Sequence, residues 1–337
     1  MGRRVTQAEV ARLAGTSQTA VSMVLNGTAA GRVAPATIDR VSAALHSSGY
    51  LAQRSFRPPQ HPQVIGVFTY ESVFPSVASS FYYPVLTGIE RAAEERRVDL
   101  LLFTSAPHED GRRRLLDSQL QRVDGCLLLG REVRSDDLAL LNRMNYPYVS
   151  IGRRDETGIG PVAYVGADYG AATRQITADI ASLGHRRLVY VSSDPRATSK
   201  QDRYTAFRQE ARKAALSHRL LRRPGAATEI LGAADETGAT CVVIDHAADA
   251  EALVRLCRRE GRRMGVDLSV VLLHEIARPL AGVELAHFTI PRPDMGRHAF
   301  DMLCDLLAAG ASAPRTEFQR LFPVGVTLGT TLGPPRA

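Results

Sequence analysis

A chain of 337 residues exceeds what one small core can organise, and 45% hydrophobic with 23% charged residues is ordinary for folded domains. No run of 18 apolar residues is present and the start, MGRRVTQAEV, lacks the apolar stretch of a secretory leader, so a cytoplasmic protein without a membrane helix is expected. The net charge of +7 is uneven: residues 1–63 hold seven arginines against Glu9 and Asp39, and the remainder is near neutral. A small basic module beside a near-neutral body points to a polyanion partner, although a solvated tail has the same composition.

The spacing of Thr6 and Glu9 is that of a capping box and predicts a helix from about residue 7, with Val10, Leu13 and Ala14 at i, i+3, i+4. Gly15 supplies a left-handed turn that ends it. Ser17 is placed to N-cap a second helix whose inward positions are Val21, Val24 and Leu25, and Asn26-Gly27 then breaks the chain. A third helix starts at Pro35 and runs through Ile38, Val41 and Leu45 to Gly49. Residues 1–57 are thus predicted as three short helices around one core with a short hinge, and residues 58–63 as a proline-rich linker that permits no regular helix.

From residue 64 the pattern changes to apolar strands separated by helices. Strands are predicted at 64–69, 99–104, 125–130, 148–153, 163–168, 187–192, 241–245, 268–273 and 285–290, with helices such as 83–97 and 171–184 between them. Continuous Val/Ile/Leu strands alternating with helices describe parallel sheets covered on both faces, and a body from 64 to 337 is too long for one. Two doubly wound lobes are the economical reading. The scattered cysteines, Cys126, Cys241, Cys257 and Cys304, lack metal-ligand spacing and read as buried thiols.

The body carries no constellation of an enzyme. GIGPVA at 158–163 mimics a dinucleotide loop, but Pro161 interrupts it and no helix follows. Neither a P-loop, nor G-x-S-x-G, nor H-E-x-x-H is present. No catalytic residue, cofactor or metal is assigned. Polar residues at strand ends suit a binding site instead: Asp168, Asp245, and Arg203 opening a helix, able together to hydrogen-bond a small polar molecule such as a sugar. Each carboxylate is also compatible with a helix N-cap, and Arg203 with a surface cation.

Two short helices joined by a glycine turn fit a helix-turn-helix, in which the second helix enters the major groove. Gln18, Thr19, Ser22 and Met23 face away from its apolar positions. Gln pairs with adenine N6/N7, a Thr methyl meets the thymine methyl, and Ser17 and Asn26 at the helix ends suit phosphates. A helical bundle docked on the body leaves this amide- and hydroxyl-rich face unexplained.

VTQAEVARLAGTSQTAVSMVLNG resembles the V-T-x-x-D-V-A-x-x-A-G-V-S-x-x-T-V-S-R-V-L-N of the lactose-repressor/galactose-repressor family of bacterial transcription regulators. RVAPATIDRVSAALHSSGY resembles its third helix. YVGADYGAA, LGHRRLVYV, the Ser199–Arg203–Phe207 spacing and the terminal GTT resemble its effector domain. The resemblance implies an N-terminal all-α helix-turn-helix domain followed by a two-lobed, periplasmic-binding-protein-like α/β domain of two doubly wound parallel sheets. It also implies a homodimer that binds near-palindromic operator DNA, as a repressor, under control of a small effector held between the lobes. The lobes are expected at about 64–165 with 288–318, and 166–287 with 319–331. DNA-contact candidates are Thr6, Ser17, Gln18, Thr19, Ser22, Met23 and Asn26; effector candidates are Phe81, Arg153, Asp168, Arg203, Asp245 and His274.

Three departures stand out. Ala20 and Met23 replace the family's Thr and Arg in T-V-S-R, and LLHE replaces its GFDD, so His274 stands where a carboxylate commonly contacts the effector. The hinge is shortened to LAQRSFR, which places Phe56 at the position of a minor-groove wedge with Arg54 and Arg57 beside it. The rival to a regulator is a cytoplasmic solute-binding protein without transcriptional duty, disfavoured by the basic module.

Overall fold

A computed structural model of the chain describes residues 5–25, 29, 32–48, 50, 62–70, 81–104, 117–130, 133–154, 157–192, 197–222, 224–276, 279–280, 282–310 and 313–336. The predicted hinge and nearly all of the linker lie outside these. The described chain divides into two compact units, Met1–Val165 with Arg292–Arg320, and Gly166–Pro291 with Leu321–Ala337.

The first unit opens with α1 (Gln7–Leu13), α2 (Gln18–Leu25) and α3 (Pro35–Ser47). Their buried apolar residues, Val10, Ala14, Val21, Leu25, Val41 and Leu45, are drawn one or two per turn from each helix, as the i, i+3, i+4 spacing demands. The α/β part of the unit contains β1 (Val64–Thr69), α4 (Tyr83–Arg96), β2 (Asp99–Phe103), α5 (Asp117–Leu120), β3 (Gly125–Leu129), α6 (Ser135–Arg143) and β4 (Tyr148–Ile151). It is completed by β5 (Tyr164–Ala167), α11 (Arg292–Ala309) and β11 (Gln319–Phe322), and its sheet runs β11-β5-β4-β3-β1-β2. Helices α4 and α11 cross backbone to backbone: a Cβ on Gly88 would fall on the Pro293 carbonyl oxygen, and one on Gly296 on that of Val85. Ion pairs of Arg297 with Glu95 and of Arg96 with Asp301 (2.8 Å) flank the crossing.

The second unit contains α7 (Tyr169–Ser182), β6 (Arg187–Ser192), α8 (Thr198–Lys213), β7 (Ser217–Arg222), α9 (Ala227–Thr237), β8 (Cys241–Ile244) and α10 (Ala247–Arg259). With β9 (Ser269–Leu272), β10 (Ala286–Thr289) and β12 (Gly325–Thr327) its sheet runs β12-β10-β9-β8-β6-β7. The neighbours from β10 to β7 pair in parallel, whereas β12 runs antiparallel to β10, so this sheet is mostly rather than wholly parallel. Residues 288–291, expected in the first lobe, belong here because β10 pairs with both β9 and β12; the return to the first unit falls at Arg292. Residues 319 and 320, expected in the second lobe, stay with the first, as β11 lines up beside β5.

The terminal GTT fastens the end of the chain. The Thr331 hydroxyl accepts from the Ala286 N–H (2.9 Å) and donates to the Val270 carbonyl (2.7 Å), tying two strands at once. Beyond residue 331, the predicted end of the lobe, His185 continues the closure. Its Nε2–H donates to the Gly333 carbonyl (2.8 Å), which leaves Nδ1 to accept from the Thr240 hydroxyl (2.7 Å).

Burial lowers the pKa of His185 from 6.5, against the opposing effect of the Gly333 bond. Burial also lowers that of His218, aided by the neighbouring charge of Arg208. Both imidazoles therefore resist a proton in the folded state that the unfolded chain accepts near its ordinary value. Their stabilisation is complete above that value and is lost as the pH falls through it toward the folded pKa. Urea midpoints are expected to fall between about pH 7.5 and about pH 5.5, and a His185→Asn variant should show a shallower decline. An unchanged slope in that variant would remove His185 from the account.

Candidate nucleic-acid interface and effector site

The helix-turn-helix is set by local bonds. The Glu9 N–H donates to the Thr6 hydroxyl (3.3 Å) and the Thr6 N–H to the Glu9 carboxylate (2.9 Å), so both halves of the capping box are made. Gly15 takes φ +59°, where L side chains are strained, and the Thr16 N–H closes the turn onto the Ala11 carbonyl (3.0 Å). The Ala20 N–H donates to the Ser17 hydroxyl (3.1 Å), starting α2. From α3, the Arg40 Nε donates to the Ala14 carbonyl at 3.1 Å, satisfying an end carbonyl of α1 and holding the turn in place.

With this frame fixed, Val21 and Leu25 are buried and Val24 packs against the same core. Ser17, Gln18 and Thr19 are exposed, while Ser22 and Met23 are half-buried. Gln18 and Ser22, and Thr19 and Met23, form two i, i+4 rows on one face of α2. Eight residues of helix span about 12 Å, close to the width of a B-DNA major groove. Thr6 is exposed but its hydroxyl already serves the cap. Asn26, Arg54, Phe56 and Arg57 lie outside the described residues.

In the second unit, a polar cluster collects at the C-terminal ends of neighbouring strands: Ser192 ends β6, Asp245 follows β8 and His274 follows β9. Asp245 is 1% exposed and does not cap a helix. Its carboxylate accepts from the Ser192 hydroxyl (2.9 Å) and from the Lys200 ammonium (3.4 Å), itself buried on α8. Arg203, one turn on from Lys200, is 3% exposed; its guanidinium carbon lies 3.9 Å from the centroid of the Tyr169 ring at the start of α7. The Arg203 Nε is buried and makes no hydrogen bond. Tyr190 on β6 is fully buried with its hydroxyl likewise unbonded, and burial, then the charge of Asp245, pushes its pKa far up.

The remaining candidates separate. Asp168 takes the helix-cap alternative: its carboxylate accepts from the Ala171 N–H (2.8 Å) at the start of α7. His274 is half-buried and its Nδ1–H donates to the Glu275 carbonyl (2.8 Å). Phe81 and Arg153 belong to the first unit, where the Phe81 ring lies under Arg292 (5.3 Å) and its carbonyl accepts from that guanidinium (3.1 Å). Arg153 is half-buried, and the next residue, Arg154, binds the strand ends at Gly130 (2.6 Å) and Ile151 (3.0 Å). Lys200, Tyr169 and Ser192 were not among the sequence candidates. The available signal was that Lys200, one of two lysines in the chain, lies at i−3 from Arg203 and so shares its helix face.

All four cysteines are free and buried; burial raises their thiols, that of Cys304 to about 11, and among the described residues no group of side chains could hold a metal ion. Among the described residues, no helix is long and apolar enough to cross a membrane.

A basic helix-turn-helix ahead of two α/β units with a polar cluster at the strand ends is the build of a DNA-binding transcriptional regulator. Residues 6–53 match the model for bacterial regulatory proteins of the lacI family, and residues 177–331 that for a periplasmic binding protein-like domain. The chain belongs to the lacI family of bacterial transcriptional regulators. It is 28% identical over 334 residues to the HTH-type transcriptional regulator CelR of Thermobifida fusca, covering 93% of this chain and 94% of that one. Its fold is similar to that of a transcriptional regulator CelR–cellobiose complex, with TM-score 0.64, 23% identity and coverage of 97% and 100%. It is also similar to the lac repressor dimer bound to operator and an anti-inducer, with TM-score 0.62, 19% identity and coverage of 98% and 99%. The relatives matched by sequence are regulators, not enzymes.

Proposed function

We propose that this regulator works in the cytoplasm as a homodimeric repressor, each protomer laying α2 in the major groove of a near-palindromic operator. The exposed Gln18–Thr19 end of α2, held by the Arg40 bond to Ala14, is the observation that carries this reading. Gln18 and Thr19 read bases, Ser22 and Met23 flank them, and Ser17, Thr6 and Asn26 meet phosphates. Phe56, between Arg54 and Arg57, enters the minor groove. A small polar effector bound at the strand ends of the second sheet changes operator affinity, with Arg203 and His274 in direct contact, Asp245 set by Lys200, and Asp168 beside it at the start of α7. The sugar complex of a CelR protein supports a sugar-like effector.

Selection of bound sites from random DNA tests the reading head. Gln18→Ala and Thr19→Ala are expected to change base preference at one or two positions, each costing about 1–3 kcal/mol on the preferred site. Met23→Arg restores the cation usual in the family and is expected to raise affinity. Unchanged preferences in the Gln18 and Thr19 variants would refute the role of α2.

A further inference from the structure

The charge balance around Arg203 says more about the effector than its shape does. Its Nε–H is buried with nothing to bond, and the face of its guanidinium is stacked on Tyr169. One candidate for a counter-charge is the buried Asp245 of the same cluster, but Lys200 and the Ser192 hydroxyl already hold its two oxygens. Asp249 on α10 is half-buried beside His246, 3.6 Å away, and Asp168 spends an oxygen on capping α7. Among the described residues no carboxylate pairs with Arg203. His274, at the end of the next strand, is an imidazole and supplies no negative charge.

A buried guanidinium without a counter-charge is unfavourable, and the hydroxyls of a neutral sugar would satisfy its N–H group without balancing its charge. Resting on the reading of this cluster as the effector site, we propose that the effector carries an anionic group, a carboxylate or a phosphate, bound by Arg203. Lys200 is then a specificity-determining residue: by neutralising Asp245 it keeps the one deeply buried carboxylate of the cluster from repelling that anion.

The test uses the full-length protein and thermal shift with calorimetry at matched ionic strength. Probes are glucose and cellobiose as neutral sugars, glucuronate for the carboxylate, glucose 6-phosphate for the phosphate, and inorganic phosphate alone. At least one anionic probe is expected to bind and raise Tm while the neutral sugars bind more weakly, and the carboxylate and phosphate arms identify the group. Arg203→Gln should weaken that binding by roughly ten- to a hundredfold, and Arg203→Lys, which keeps the charge, should retain the preference for anions at lower affinity. A neutral sugar that binds through Arg203 as tightly as its acidic counterparts would overturn the proposal and leave the effector site standing. If no probe binds in an Arg203-dependent manner while operator binding is intact, the site assignment fails and the proposal with it.

Discussion

A chain lacking residues 1–57 is expected to keep its α/β fold and to lose operator binding altogether, the largest functional effect available to one alteration. The physical reason is the position of the charge. The N-terminal module carries seven arginines against two acids, and the rest of the chain is nearly balanced. If a dimer neutralises ~6–10 phosphates, log–log plots of affinity against salt should have a slope of about −5 to −10. Arg3→Ala or Arg4→Ala, which removes two cations per dimer, should weaken all sequences about equally and flatten that slope by about two. Circular dichroism checks the fold and mobility shifts across a salt series check the binding. Retention of the parent slope by the truncated chain would place the DNA interface in the body.

Lys200→Met is expected to be the most destabilising single change outside the apolar core. It takes the Lys200 ammonium away from the Asp245 carboxylate, whose side chain is fully buried, while the Ser192 hydroxyl stays in place. Removing one member of a buried pair costs about 3–5 kcal/mol, equivalent to a fall in Tm of roughly 6–20 °C for a body of this size. A second change, Asp245→Asn, should return most of that loss, because it removes the unpaired charge that does the damage. Equal melting of Lys200→Met and parent would mean that the pair contributes no net stability, and the account of Asp245 would have to be abandoned.

The reading head was legible because its signals are local. Thr6 and Glu9, Gly15, Ser17 and the spacing of Val21 and Leu25 all act within a few residues of one another. What lay outside local reach was the Arg40 bond to Ala14, made across 26 residues. Central strands such as β3 and β8 announced themselves by uninterrupted apolar runs, since both faces are covered. The strand β7, SHRLLR, did not: as an edge strand it has Leu221 as its one buried residue, and Arg219 turns outward to pair with Glu236 (2.5 Å). Strands β11 and β12 are short edges of the same kind.

At the proposed effector site the residue types at the strand ends were visible, but their partners were not. Asp168 and Asp245 look alike in sequence, each closing an apolar strand, yet one caps a helix and the other is buried with a lysine 45 residues away. That choice depends on how β8 and the start of α8 meet, which no local pattern encodes. The shortened hinge around Phe56 lies outside the described residues, and its part in DNA binding is proposed from the sequence.

The passage of the chain between its two units, at residues 165/166, 291/292 and 320/321, has a consequence for the order in which the molecule is made. Neither unit is a contiguous stretch, so the first cannot be finished until α11 and β11 have left the ribosome, and the second waits for β12 and Thr331. The buried apolar residues that the three leading helices contribute lie within residues 10–45. At about 5–20 residues per second, those helices emerge many seconds before either sheet can close. Nascent chains therefore present the leading helices while the body is still open, and a premature stop within the body would release those helices without a completed second unit.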